Sequence, residues 1–268
     1  MSAAASYPTH WRRPPAFFGT RRRYWLFIGG VILYFAWSLS TLNIDVERML
    51  AGLPRALDIF ARMVPPDFSK GQLLLKGMLE SLQMAFAATL IGAILAVPLG
   101  IAAARNIAPR PVYLAARGFI VLNRTFHEII IAIFFVKLFG FGAVAGLLTL
   151  ALSSWTFCGK MLAEDIENVR MGQIEAVRAT GAGFAQTVVF SVVPQVLSRT
   201  VGVLIYRLDA NVRHSTVIGI VGAGGIGQTL SASFSRYDYD FAAAILLCIA
   251  ALVALGEWFS DWVRRKLR

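Results

Sequence analysis

Residues 175–194 read EAVRATGAGFAQTVVFSVVP, a polar, helix-prone stretch set between long apolar runs. Glu175, Arg178 and the preceding Gln173 belong in water or against another protein. A charge at the centre of a membrane-spanning helix costs at least about 2.5 kcal/mol. Gly181 supplies a break, and Pro194 closes the stretch just before the next apolar run. The spacing predicts a compact elbow: a helix, a glycine turn, and a second helix stopped by proline. Gly181→Asp is expected to break it, by putting a side chain where glycine turns the chain and by burying a carboxylate.

The runs on either side make this a membrane protein. Of 268 residues, 57% are hydrophobic and 15% charged, which places the chain among polytopic helical membrane proteins. The formal net charge of +11 does not point to nucleic acid, because the basic residues cluster at the ends of apolar runs, as topology signals do. Cys158 and Cys248 both sit in apolar surroundings, so two buried thiols and no disulfide framework are expected. The first apolar run is long and lacks a small-residue cleavage site, which argues against a cleaved signal peptide.

Taken in order, residues 1–23 form a basic cytosolic tail with Arg12, Arg13, Arg21, Arg22 and Arg23. Residues 24–42 are about long enough to cross a bilayer. Residues 43–81 read as a periplasmic loop. Within it Leu50, Leu53, Leu57 and Phe60 recur at helical spacing over 46–63, which predicts an amphipathic helix lying at the interface and ended by Pro65-Pro66. Further spans are expected at 82–104, with Pro98 a kink near its inner end, at 118–139, and at 143–157. A cytosolic loop over 160–195 holds the elbow. A fifth span begins near Val196, and a sixth covers 241–260. About six spans with both ends inside satisfy the positive-inside rule at four inner segments. The exception is the first outer loop, which carries Arg48, Arg55, Arg62, Lys70 and Lys76.

The fifth segment is interrupted by Arg207, Asp209, Asn211, Arg213 and His214. Such groups should face a partner or a water-filled space. If the segment is helical, Arg207 and Asn211 share one face and Asp209 and Arg213 another. An anion could then pass Arg207 or Arg213 through charge-assisted hydrogen bonds. The alternative is that these side chains snorkel to the inner interface. The third span is unusual in containing Arg124, His127 and Glu128, of which Glu128 reads as a buried, hydrogen-bonded or pore-facing carboxylate.

Gly222, Gly224, Gly225 and Gly227 satisfy G-x-G-x-x-G, but no βαβ unit surrounds them and Asp238 and Asp240 come too early for a ribose-binding acid. The better reading is a backbone that bends or packs closely near the translocation path or the outer gate, with plain helix packing as the alternative. His127-Glu128 begins like H-E-x-x-H, but position 131 is Ile131 and the zinc motif fails. No P-loop signature occurs, so any ATP must bind a separate subunit.

A family resemblance rests on these residues together. Glu175, Ala176, Gly181 and Pro194 fall on the spacing of the cytoplasmic EAA loop of ABC importer permeases, with Val177, Ser191 and Val193 departing from the pattern. Downstream, Pro194-Gln195, Tyr206-Arg207, Asn211-Val-Arg213 and residues 221–227 (VGAGGIG) resemble the phosphonate-type permeases from about Pro65 onward. The resemblance implies an all-α polytopic type I importer permease (MetI-like) fold over 1–268, multi-pass in the bacterial inner membrane with both termini cytosolic. It implies a coupling role for Glu175, Ala176, Arg178, Gly181 and Pro194. Glu128, Arg207, Asp209, Asn211, Arg213, Ser215 and the four glycines are the candidates for the path and gate.

The partners implied are a second permease copy, two ATP-binding cassette subunits that carry ATP and Mg, and a periplasmic phosphonate-type binding protein. No cofactor, metal, catalytic residue or nucleic acid is expected in this chain. The substrate would be a phosphonate or a related oxyanion such as phosphite, hypophosphite or phosphate. A gradient-driven secondary transporter or anion channel is the alternative, since broken helices and membrane-embedded charges suit it equally. A membrane-bound enzyme built on His127 and Glu128 has no complete motif behind it.

Overall fold

The computed structural model describes residues 21–42 and 45–266. Residues 1–20 with Arg12 and Arg13, residues 43–44 at the start of the first loop, and Arg268 lie outside them. Every regular element among the described residues is helical. The chain divides into two compact units between Asp58 and Ile59. In the first, α1 (Arg21–Thr41) is long and apolar enough to cross a membrane. The division falls within α2 (Val46–Arg62), which follows the predicted amphipathic helix and has no buried residue. Leu50, Leu53, Leu57 and Phe60 form its exposed apolar stripe.

The second unit is built on two long helices, α3 (Gly71–Ala102) and α6 (Ala143–Glu167). They run in the same direction and touch through small residues. A Cβ on Gly92 would lie 2.5 Å from Ser154 Cβ, and one on Gly100 would lie 2.8 Å from Leu162. Small residues let backbones approach where no hydrophobic effect drives helix against helix. Parallel neighbours need a crossover, and α4 (Arg110–Thr125) with α5 (Glu128–Phe139) supplies it. α9 (Val193–Ile220) runs antiparallel to both, turns through residues 221–224 into the short α10 (Gly225–Ser235), and α11 (Tyr239–Lys266) completes the unit.

Several boundaries differ from the hydropathy reading, and each has a local reason. The expected span 118–139 is two helices bent by 89°. Phe126 and His127 are extended, and the His127 side chain caps α5 by accepting from Ile129 N–H. α3 starts eleven residues before the apolar run, at Gly71 instead of position 82, because Lys76 lies on its exposed face and Gly77 on its buried one. α6 continues to Glu167, so the polar stretch from Lys160 starts inside a helix. α9 passes through all five polar positions without a break.

Pro194 does not stop a helix. Between α8 (Phe184–Thr187) and α9 lies a π-helical turn, Val188–Val192, in which Val193 N–H reaches back to Val188 O. Pro194 then falls in the first turn of α9, where its missing N–H costs little, and the helix runs on. Cys158 is buried as expected, whereas Cys248 is only partly buried.

The turn between α10 and α11 is tied to the start of α3. The Lys70 ammonium donates to the Asp238 carboxylate, and Lys70 also lies over the Phe241 ring. The hydrogen bond from Lys70 holds Asp238 below the usual carboxylate value of 3.8 and raises Lys70 above 10.5. A lowered acid stabilises above 3.8 and loses that contribution as pH falls through its folded value; a raised base stabilises below 10.5 and loses it as pH rises through its own. A nitroxide at Tyr237→Cys, with both native cysteines replaced by alanine, should therefore stay ordered between those limits. Its spectrum should sharpen below pH 3.8, and Asp238→Asn should sharpen it at every pH.

Candidate functional site

Two regions gather the polar residues. The first lies where α4 bends into α5. Arg207, on α9, is only 4% exposed. Its guanidinium donates to Ser154 Oγ at 3.0 Å, to Ser153 Oγ at 2.7 Å and to Glu128 Oε1 at 3.0 Å. Ser153 in turn donates to Glu128, and His214 Nδ1 lies 2.6 Å from the other carboxylate oxygen. One turn along α9, Asn211 donates to Ser154 Oγ and Thr89 Oγ1, both at 2.8 Å. Each buried donor or acceptor left unpaired would cost about 1–3 kcal/mol, so this lattice is what makes a charged α9 compatible with the interior.

The shared face of Arg207 and Asn211 is the one expected from their spacing, and so is the Asp209–Arg213 pair, at 3.0 Å. Arg213 also reaches Glu257 on α11 at 3.3 Å. Both arginines expected to meet an anion are thus held by carboxylates of this chain. Ser215 is fully buried, and its hydroxyl donates to Val212 O within α9.

A cavity of about 480 Å³ opens beside the network, lined by Asn123, Arg124, His127, Glu128, Phe157, Arg207 and His214 among others. Phe157 carries both arginines, Arg207 at 5.3 Å and Arg124 at 5.9 Å from its ring centroid. The sequence gave no reason to single out Ser153, Ser154 or Thr89, because serines and threonines are ordinary inside membrane helices. Arg124 was visible as a charge inside a span.

The glycine segment is a packing junction. Gly222, Gly224 and Gly225 have φ of +93°, +84° and +72°, a region open to glycine at little cost. Gly142 N–H donates to Gly222 O and Ile226 N–H to Ser81 Oγ, both at 3.0 Å. A Cβ on Gly227 would sit 1.9 Å from Thr216 O. The backbone bends and packs closely, as the sequence suggested, against α3, α6 and the end of α9.

The second region is the elbow. α7 (Met171–Ala179) exposes Glu175, Ala176 and Arg178 and buries Ile174 to 2%. Ile174 packs with Ala103, Leu162, Ile166 and Val192. The ends of α3 and α6 are tied to the middle of α4 by Arg117, which bonds Ala103 O at 2.9 Å and Glu167 at 3.1 Å. Arg170 N–H donates to Gln195 Oε1 at 2.9 Å, tying the start of α7 to α9. Ile174 was missed in the sequence, although one isoleucine between Gln173 and Glu175 is the signal of a short helix anchored at one point. Gly181 has φ +81° and is exposed, with nothing within 4 Å of an added Cβ. The expected burial of a carboxylate there is corrected: the constraint is backbone conformation alone.

Comparisons with known proteins converge on this arrangement. A family model described as "Binding-protein-dependent transport system inner membrane component" matches residues 96–268. The chain is 40% identical over 240 residues to the phosphite transport system permease protein PtxC of Stutzerimonas stutzeri, covering 89% of this chain and 86% of that protein. It is 40% identical over 214 residues to the phosphate-import permease protein PhnE of Mycolicibacterium smegmatis, covering 79% of this chain but only 40% of that longer protein. Among solved structures, a chain of an inward-facing MetNI methionine ABC transporter superposes with a TM-score of 0.65 at 25% identity, covering 75% of this chain and 99% of that one. The cavity at the α4–α5 bend, the glycine turn and the elbow all fall within the matched residues, and the chain belongs to the binding-protein-dependent transport system inner membrane component family.

Proposed function

We propose that the chain is the permease subunit of an ATP-driven importer for a phosphorus oxyanion: a phosphonate, phosphite, hypophosphite or phosphate. The observation that carries this reading is the 40% identity to a phosphite permease across 86% of that protein's length. Two copies would line the path in the bacterial inner membrane, with both termini cytosolic. Two ATP-binding subunits would bind ATP and Mg beneath them, and a periplasmic binding protein would deliver substrate.

The exposed side of α7 is the surface for the ATP-binding subunit. Glu175, Ala176 and Arg178 would dock there, while Ile174 passes the movement to α3, α4 and α6. Gly181 sets the exit of α7, and Pro194 sits where the π-turn enters α9. Glu128, Arg207 and Asn211 hold the wall of the path. Asp209 and Arg213 brace α9 on α11, Ser215 is buried along α9, and Gly222, Gly224, Gly225 and Gly227 form the closely packed turn at its far end, beside the gate.

The test is ATPase activity of the complex reconstituted with the ATP-binding and binding proteins encoded beside it. Methylphosphonate, aminoethylphosphonate, phosphite, hypophosphite and phosphate are each added with the binding protein. Stimulation by at least one is expected; assembly without stimulation by any would refute the oxyanion assignment.

The elbow gives a second expected result. Left-handed backbone costs about 1–2 kcal/mol for an ordinary L-residue, and asparagine tolerates it best. Gly181→Val should therefore assemble but lose most substrate-stimulated ATPase, whereas Gly181→Asn should keep most of it. Equal behaviour of the two variants would remove the backbone argument.

A further inference from the structure

We propose that the cavity at the α4–α5 bend is a transient oxyanion site in which Arg124, with Asn123 and His127, makes the contacts to substrate. This rests on the importer reading above and names the chemistry of one station on its path. Several charged groups at the cavity are already committed. Arg207 is nearly buried and gives its charge to Glu128 and two further donors to Ser153 and Ser154. His214 stands at the second Glu128 oxygen. The one carboxylate facing the cavity is thereby neutralised. The histidines aside, Arg124, Arg207 and Glu128 leave the cavity one net positive charge.

Arg124 supplies that charge in usable form. Among the described residues it has no ion pair and no hydrogen bond, only the Phe157 ring at 5.9 Å. Asn123 uses its side-chain oxygen to accept from Thr156 at 2.9 Å, which leaves its amide nitrogen with no partner among the described residues. His127 uses Nδ1 to accept from Ile129 N–H. That fixes the ring proton on Nε2, which points to no acceptor of the described chain. A guanidinium, an amide NH₂ and an imidazole N–H therefore line one cavity without acceptors of their own.

A tetrahedral oxyanion offers acceptors alone and can take the guanidinium fork on two oxygens. A cation or an uncharged donor would find there only the Glu128 carboxylate, already paired with Arg207 and His214. Arg124 is also exposed and held only by an aromatic face, so its contact is weak enough to release, as passage requires. The buried Arg207 and the doubly paired Arg213, which the sequence favoured, lack that freedom.

The experiment uses the full complex in proteoliposomes. Uptake per ATP hydrolysed is measured for whichever of methylphosphonate, aminoethylphosphonate, phosphite, hypophosphite and phosphate stimulates the wild type. Arg124→Gln is expected to lower that ratio about tenfold or more, since it removes a charged hydrogen-bond donor. Arg124→Lys, which keeps the charge without the fork, should fall between. Wild-type coupling in Arg124→Gln would overturn the site and leave the importer reading standing. A wild-type complex that takes up none of the five would remove that reading and the site with it. If Arg124→Gln does not assemble, Asn123→Ala and His127→Gln carry the same test, and wild-type coupling in both would overturn the proposal.

Discussion

Arg207→Ala is expected to destabilise the protein by about 3–5 kcal/mol, the cost of removing one partner from a buried ion pair. The Arg207 side chain is 5% exposed and that of Glu128 19%, so water replaces only part of what is lost. Three hydrogen bonds disappear at once, those to Ser153, Ser154 and Glu128. Ser154 keeps only the bond from Asn211, and Glu128 keeps Ser153 and His214. Denaturation of the purified permease in mixed micelles, followed by circular dichroism, measures the loss. Arg207→Met combined with Glu128→Gln should recover much of it, because the uncompensated carboxylate is gone. Arg207→Lys should fall between, since an ammonium cannot copy the fork that spans two serines and a carboxylate. A single alanine variant as stable as the wild type would mean that water reaches this pair.

Among the described glycines, Gly227→Ala should be the most damaging alanine substitution. The added Cβ would stand 1.9 Å from Thr216 O and 3.0 Å from Gly219 Cα. Both are backbone atoms of α9, so no side chain can rotate away. The end of α9 and the start of α10 must separate, and overpacking of this kind costs about 1–3 kcal/mol or more. Gly202→Ala, in the open middle of α9 with nothing within 4 Å, is the matched control. It should be neutral or stabilising by about 0.5–1 kcal/mol, because alanine loses less backbone freedom than glycine. Equal effects at the two positions would show that the turn is loose and can act as a hinge without strict packing.

These expectations have different origins. That α9 carries paired faces followed from the four-residue spacing of Arg207 with Asn211 and of Asp209 with Arg213. That Arg207 is a structural residue did not, because its carboxylate lies 79 positions away on another helix. The bend at residues 126–127 was equally hidden. It contains neither proline nor glycine, and its sequence, TFHE, reads as continuous span until His127 is seen capping α5. The π-turn before Pro194 escaped for a related reason, since a proline after a polar stretch normally ends a helix.

By itself the sequence determined the class and the local geometry. Apolar runs of bilayer length, basic flanks, a glycine at a left-handed turn and the elbow spacing are properties of neighbouring residues. The short-range physics of helix, turn and lipid fixes them. Only the tertiary structure decided how the charges are spent. A charge in the membrane is tolerable once it is paired, and its partner is set by which helices touch. The parallel contact of α3 and α6 through Gly92 and Gly100 brings Thr89 and Ser154 together beneath Asn211. The bend before Glu128 delivers the carboxylate that occupies Arg207, and Arg124 is left facing the cavity.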